Sequence, residues 1–120
     1  MIILPGGMPG TLNLEKSATV QKFIDYAVEN NIVIGAICAA PSILGHKGIL
    51  NGKNATCFPG FESELDGAVF QNVKVVRDSN VITACGVGAA FEFGFKILEY
   101  LTDSETTESL KNTMRFLITE

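Results

Sequence analysis

A short apolar run that stops at a cysteine is the feature that most constrains the fold of this chain. Residues 32–37 are apolar and rich in isoleucine and valine, which is typical of a strand buried on both faces of a parallel sheet. Cys38 follows, then two alanines and Pro41. Proline suits the first turn of a helix, because a backbone N–H would have no intrahelical partner there. Cys38 is therefore predicted to lie on a tight strand-to-helix turn, at the sheet edge where open α/β sheets bind their ligands.

Two interpretations of Cys38 follow from this position. A cysteine at a helix N-terminus experiences the positive end of the helix dipole, which favours the thiolate. The N–H groups that follow it can also hold a developing oxyanion. The alternative is a buried cysteine that packs as a small hydrophobic residue. The local sequence leaves both interpretations open.

Composition and charge limit the classes of protein to which this chain can belong. The chain has 120 residues, 47% of them hydrophobic and 18% charged, which is typical of one compact α/β domain. Its net charge of −4 and the lack of a Lys/Arg cluster argue against a nucleic-acid partner. No apolar run has membrane-spanning length, and the first residues lack the basic region of a signal peptide. A cytoplasmic protein without a membrane partner is expected.

The cysteines suggest the same compartment. Cys38, Cys57 and Cys85 lie far apart in the sequence, and an odd, sparse count suits a reducing cytoplasm better than a disulfide framework. The single histidine, His46, belongs to a different predicted element from Cys57 and Cys85. No metal site is expected.

The first half of the chain is predicted to form a strand–helix–strand unit. Residues 1–4 form its first strand, followed by a turn-rich stretch from Met8 to Thr11. Ser17 is a good N-cap for a helix that ends at Asn30-Asn31, since asparagine tolerates a left-handed C-terminal position. Apolar residues at helical spacing predict one buried stripe on this helix: Val20, Phe23, Ile24, Ala27 and Val28.

The second half is predicted to alternate loops, a hairpin and helices. Residues 55–59 read as a short edge or loop strand and 61–67 as an exposed loop. Residues 73–77 and 81–85 flank a turn and predict a β-hairpin. A long helix over residues 89–101 is apolar on most sides and is expected to be buried.

A capping box and an apolar stripe predict a C-terminal helix, and a glycine pair precedes the helix at residues 89–101. Thr102 and Glu105 fit a capping box, and the apolar stripe of the helix that follows is Leu110, Met114, Leu117 and Ile118. Gly86 and Gly88 after a strand look like the start of a dinucleotide fingerprint, but Phe91 stands where its third glycine would be. Close helix–sheet packing explains the pair better, and no cofactor is expected.

Three segments, residues 4–7, 36–41 and 86–93, resemble the ThiJ/PfpI superfamily, in its DJ-one-like branch. The resemblance extends over essentially the whole chain in matching order and spacing. It implies a flavodoxin-like three-layer α/β/α sandwich with a mainly parallel sheet. Residues 1–120 would form a single partial domain of this family, and the family is usually dimeric, so a homodimer is expected.

The resemblance also implies a site. Cys38 would be the nucleophile, and backbone N–H groups of Gly7 and Ala39 would hold the oxyanion. Activities ascribed to the family are cofactor-free glyoxalase or deglycase chemistry on small 2-oxoaldehydes, oxidative-stress sensing through sulfinic acid at the cysteine, chaperone-like holding, and peptidase activity in one branch. That peptidase branch has histidine directly after the cysteine, where this chain has Ala39. A small aldehyde substrate is therefore the expected partner.

The chain departs from the family pattern at two places. Phe58 stands where many relatives have a histidine, and His46 is expected to face away from the site. The family's N-terminal strand–helix–strand stretch, with a glutamate that hydrogen-bonds the cysteine, is not matched in these residues. The chain is thus expected to be an N-terminally truncated member, with the strand at residues 1–4 left as an unpaired apolar edge.

Three acidic residues could be considered as replacements for that glutamate: Glu62, Glu64 and Glu92. None occupies the matching position, so little or no turnover is expected. Two functions stay open, a cysteine-dependent enzyme and a non-enzymatic stress sensor or chaperone-like protein that responds to oxidation of Cys38. A glutamine amidotransferase is disfavoured, because the histidine and glutamate that it needs downstream are missing.

Overall fold

The computed structural model describes residues 1–116. Short 3₁₀ turns at Glu62–Glu64 and Val87–Ala89 accompany the regular elements. In chain order these elements are β1 (Ile2–Leu4), α1 (Gly10–Lys16), α2 (Ala18–Glu29), β2 (Ile34–Ile37), α3 (Pro41–His46), β3 (Asn54–Ala55), β4 (Val69–Phe70), β5 (Val75–Asp78), β6 (Val81–Ala84), α4 (Ala90–Leu101) and α5 (Ser104–Thr113).

The main sheet has four strands in the order β1-β2-β6-β5. β1, β2 and β6 are parallel, while β5 runs antiparallel to β6. The predicted hairpin is therefore confirmed, as is the α/β class with a mainly parallel sheet. β3 and β4 form a separate two-stranded parallel pair.

Apolar side chains cover both faces of the sheet, because successive strand residues point to opposite sides. On one face Ile34 packs with Ile24 of α2 and with the α3 residues Ile43 and Leu44. The other cluster contains Val33, Ile82 and, from α4, Phe93. Helices thus lie on both sides of the sheet, which is the predicted three-layer arrangement.

Local signals set most of the boundaries in the first half. The Ser17 hydroxyl accepts a hydrogen bond from the Val20 N–H, as expected of an N-cap. Asn31 has a positive φ of 57° at the end of α2, and Pro41 is the first residue of α3. No helix in the described part of the chain is long and apolar enough to cross a membrane.

Two predictions for the first half were wrong in part. The turn-rich stretch leads directly into α1, which starts at Gly10. In α2, Phe23 is 59% exposed and Val28 is also exposed, while Ile24 and Ala27 are buried. Only a narrow strip of α2 touches the sheet, since the sheet ends at β1 and leaves nothing to cover the outer part of the stripe.

The C-terminal helices are less buried than predicted. Phe91 and Leu101 of α4 are largely exposed, because only one side of the helix packs on the sheet. Asp103, and not Thr102, caps α5 by accepting a hydrogen bond from the Thr106 N–H. Leu110 and Met114 are exposed, and the predicted stripe residues Leu117 and Ile118 lie outside the described residues.

Candidate active site

Cys38 lies on the turn between β2 and α3 with a left-handed backbone, φ 65°. A non-glycine residue adopts this conformation at a cost of about 1–3 kcal/mol, and such residues cluster at functional sites. Two hydrogen bonds hold the turn: the Cys38 N–H donates to Ala84 O at 2.9 Å, and its carbonyl accepts from the Phe58 N–H at 2.8 Å. Cys38 is partly exposed, so its thiol is accessible to a small molecule.

The glycine turn after β1 packs directly against Cys38. A Cβ placed on Gly6 would lie 2.6 Å from the Cys38 Cβ and 2.7 Å from Ile37 O, so only glycine fits. The next residue, Gly7, has φ 86°, and its carbonyl accepts hydrogen bonds from both the N–H and the hydroxyl of Thr11 at 2.8 Å. The start of α1 thereby orients the Gly7 peptide beside the cysteine.

Two backbone donors at this turn lack an acceptor. Within residues 1–116, neither the Gly7 N–H nor the Ala39 N–H makes a hydrogen bond to the protein. Ala39 is only 2% exposed, and a buried N–H without a partner is costly. The two predicted oxyanion donors therefore lie on the segments that flank Cys38, both free to bind a ligand oxygen.

An apolar rim surrounds the cysteine turn. Phe58 lies close to Gly86, where an added Cβ would be 3.3 Å from the Phe58 ring. Phe58 is half-exposed, and Val87 is 88% exposed. The close approach at Gly86 is thus to a loop side chain and not the helix–sheet packing predicted for the glycine pair, and Gly88 has open space around it.

The two other cysteines lie near Cys38. Burial first, and then the neighbouring charges of Glu62, Cys38 and Cys85, raise the pKa of the Cys57 thiol to about 11. Cys57 is fully buried, whereas Cys85 is partly exposed like Cys38. The three thiols are therefore within electrostatic reach of one another, although their positions in the sequence are far apart.

The only histidine is used elsewhere. The His46 ring nitrogens each lie 2.6 Å from a carboxylate oxygen, Glu15 on one side and Glu64 on the other. Hydrogen bonds to Glu64 and Glu15 raise the pKa of His46. His46 is the last residue of α3, whereas Cys38 precedes that helix, so the imidazole faces away from the thiol as the sequence predicted.

The remaining candidate acids also have other partners. The Lys74 ammonium donates to Glu92 at 3.1 Å, and Glu62 accepts from the Gly60 N–H at 2.8 Å. Glu62 is the carboxylate whose charge reaches Cys57. Among the described residues, the candidate acids of the sequence analysis make no hydrogen bond to the Cys38 thiol.

Comparison with known proteins decides the family. The DJ-1/PfpI family matches residues 1–100. The chain belongs to the DJ-1/PfpI family. Among its relatives, protein dj-1beta of Drosophila melanogaster is 33% identical over 112 residues, covering 92% of this chain and 60% of that protein. The glutathione-independent glyoxalase DJR-1.2 of Caenorhabditis elegans is 37% identical over 112 residues, covering 92% of this chain and 59% of the relative.

Solved structures of DJ-1/PfpI proteins share the fold. The crystal structure of Drosophila melanogaster DJ-1beta has a TM-score of 0.86 at 32% identity, over 99% of this chain and 64% of that chain. The structure of oxidized Toxoplasma gondii DJ-1 has a TM-score of 0.87 at 26% identity, over 94% of this chain and 62% of that one. The chain thus spans about 60% of the length of the relatives it matches.

Sequence reasoning missed one contributor to this DJ-1/PfpI site, Thr11, and the burial of Cys57 near it. Thr11, which holds the Gly7 carbonyl, lay in a stretch predicted as a turn; its position four residues after a flexible glycine was the available signal. Cys57 was predicted to lie in a short edge or loop strand, and the family resemblance placed its neighbour Phe58, but not Cys57 itself, at the site. The position of Cys57 near Cys38 depends on the bond from the Phe58 N–H to the Cys38 carbonyl.

Proposed function

We propose that Cys38 is the nucleophile of cofactor-free chemistry on small 2-oxoaldehydes, of the glyoxalase or deglycase kind. The observation that carries the proposal is the strained Cys38 backbone between two unpaired N–H donors, Gly7 and Ala39. One relative with 37% identity is named a glutathione-independent glyoxalase, which supports the substrate class.

The first step needs only residues at this turn. The Cys38 thiolate adds to the aldehyde carbon, a C–S bond forms, and the carbonyl π electrons move to the oxygen. The Gly7 and Ala39 N–H groups stabilise that oxyanion by charge-assisted hydrogen bonds. Conversion of the adduct into a 2-hydroxy acid then requires a proton shift and hydrolysis, which need a general base.

A low turnover number is part of the proposal. His46, Glu64 and Glu92 bind other partners in the described structure, so no base among them serves the proton shift. We expect methylglyoxal to form a reversible adduct at Cys38, with little lactate released by the 120-residue chain.

The test compares the protein with Cys38→Ala. Protection of Cys38 against iodoacetamide by methylglyoxal is measured on the protein and on the matched control Cys57→Ala, and lactate formation is measured on these two and on Cys38→Ala. Protection of Cys38 in both proteins, reversed when methylglyoxal is removed, supports the proposal, and alkylation of Cys38 at an unchanged rate contradicts it. Lactate formation that survives Cys38→Ala contradicts it.

A second candidate is a stress sensor or chaperone-like protein that responds to oxidation of Cys38. The lack of a described base beside the accessible thiol favours it, and a similar structure is that of an oxidized DJ-1. Mass spectrometry after mild peroxide treatment separates the outcomes: preferential oxidation of Cys38 over Cys57 and Cys85 supports it, and equal oxidation of all three contradicts it.

The proposal also includes a homodimer in the cytoplasm, with no nucleic-acid or membrane partner. Three free cysteines and a net charge of −4 are its support. Sedimentation equilibrium of the reduced protein tests the dimer, since a monomer at micromolar concentration would contradict it.

A further inference from the structure

The arrangement of β2 and β6 brings Cys38 next to Cys85. The two strands are parallel neighbours, and Ile37 is the register partner of Ala84. Cys38 and Cys85 are the residues that directly follow these two strands. The bond from the Cys38 N–H to Ala84 O at 2.9 Å continues the ladder as far as the cysteine.

The spacing of adjacent strand ends falls within the backbone requirement of a disulfide. Neighbouring strands lie about 4.8 Å apart, and a disulfide needs Cα atoms about 4.4–6.8 Å apart. Both thiols are free and partly exposed in this structure. Their electrostatic effect on Cys57 places them at the same end of the sheet.

Cys85 suits attack on an oxidised Cys38 better than Cys57 does. The attacking group in disulfide formation is a thiolate. Cys57 is only 1% exposed, and its pKa of about 11 keeps it protonated at neutral pH. Cys85 does not lie in that fully buried environment.

We infer that Cys85 is a resolving thiol, which captures the sulfenic acid of Cys38 as an intrachain disulfide after reaction with a hydroperoxide. The inference rests on the nucleophilic Cys38 of the proposed function and adds a modification site at Cys85. The disulfide product is reversible, because a thiol reductant restores both cysteines. Further oxidation of the sulfenic acid to sulfinic acid is, by contrast, largely irreversible.

The chemistry has two balanced steps. The Cys38 thiolate attacks the terminal oxygen of the hydroperoxide, the O–O bond breaks, and the alkoxide or hydroxide that leaves takes a proton from water. The sulfur is oxidised by two electrons to the sulfenic acid. The Cys85 thiolate then attacks the Cys38 sulfur, an S–S bond forms, the S–O bond breaks, and hydroxide leaves to become water on protonation.

The experiment maps disulfides in the reduced 120-residue chain. The protein is treated with one equivalent of hydrogen peroxide, blocked with N-ethylmaleimide and digested without reductant, and its peptides are weighed. We expect a Cys38–Cys85 linked peptide that dithiothreitol removes. It is lost in Cys85→Ser and Cys85→Ala, where Cys38 goes on to sulfinic acid, and it is kept in the matched control Cys57→Ser.

Several results would overturn the inference: a link from Cys38 to Cys57, a link between two chains, or the same yield of Cys38 sulfinic acid with and without Cys85. The rate of Cys38 alkylation by iodoacetamide separates this failure from failure of the proposed function. Fast alkylation without a link refutes the resolving role of Cys85 alone, whereas slow alkylation of Cys38 contradicts both.

Discussion

At the scale of single residues, the site depends on how closely backbone and thiols approach each other around Cys38. Its left-handed φ is held by hydrogen bonds to Ala84 and Phe58 from two different segments. Gly6 leaves room for the cysteine because it has no Cβ. Cys57 is nearby but buried in the core, so three chemically identical side chains differ in exposure and are expected to differ in reactivity.

Replacement of Gly6 tests that close approach. Gly6→Ala places a Cβ 2.6 Å from the Cys38 Cβ, and such overpacking costs about 1–3 kcal/mol. We expect a lower free energy of unfolding in urea and slower alkylation of Cys38. Gly94→Ala is the matched control, because no atom lies within 4 Å of its Cβ and alanine stabilises a helix interior by about 1 kcal/mol relative to glycine. An unchanged stability of Gly6→Ala would contradict the packing described here.

Thiol labelling tests the difference between the cysteines. With a pKa of about 11, Cys57 is ionised to roughly one part in a thousand at pH 8, and it is also shielded from reagent. We expect iodoacetamide to label Cys38 and Cys85 in the native protein and to leave Cys57 unlabelled, as read by peptide mass spectrometry. All three should react in guanidinium chloride; native labelling of Cys57 at the rate of Cys85 would refute the expectation.

At the scale of elements, short contacts between segments position the site. Thr11 at the start of α1 holds Gly7, and the Cys38 turn is clamped between β6 and the segment after β3. His46 at the end of α3 joins Glu15 of α1 to Glu64 of the 3₁₀ turn. The imidazole of His46 therefore links α3 to α1 and to the 3₁₀ turn through two hydrogen bonds.

The His46 contact predicts a pH dependence of stability. Glu64 and Glu15 raise the folded-state pKa of His46 above its ordinary 6.5, so folding favours the protonated form. This contribution is fully present below pH 6.5 and is lost as the pH rises through the higher folded-state value. We expect the difference in unfolding free energy between the protein and His46→Gln to be larger at pH 6 than at pH 9, and small, because the imidazole is solvent-accessible.

The control for this experiment is Glu92→Gln, which breaks an ion pair with Lys74 elsewhere on the surface. Its effect on stability should be the same at both pH values, because this ion pair contains no histidine. A difference between the protein and His46→Gln that does not vary with pH would show that the three-residue contact carries no proton linkage.

The sequence predicted secondary structure correctly where a few neighbouring residues determine it. The Ser17 cap, the start of α3 at Pro41 and the hairpin of β5 and β6 are confirmed. The errors concern what a helix packs against. The exposure of Phe23 and Phe91 depends on how much of the sheet each helix covers, and periodicity in the sequence carries no information about that.

At the scale of the whole molecule, the sheet ends at an apolar strand. β1 is the first strand in the order and has one neighbour, β2, in the described structure. Ile3 is 49% exposed and lies near Gly35 on the face covered by Phe93 of α4. A free edge with an exposed apolar side chain favours pairing with another chain.

Association of the chain should therefore depend on β1. We expect Ile3→Lys to shift the protein towards the monomer in sedimentation velocity over a concentration series, because a charged edge residue disfavours strand pairing. Leu101→Lys removes a more exposed apolar side chain at the end of α4 and serves as control. Equal effects of the two substitutions would indicate general hydrophobic association and exclude a specific role of the β1 edge.

The sequence by itself determined the family, the α/β class and the identity of the candidate nucleophile. These three features follow from patterns of a few neighbouring residues, such as the apolar run that stops at Cys38 and the proline that starts α3. Tertiary structure alone decided that Gly6 packs against this cysteine, that Cys85 follows the neighbouring strand, and that Cys57 is buried near it. Those contacts join segments separated by about 20 to 50 residues, and the chain brings them together only because parallel strands end at one edge of the sheet.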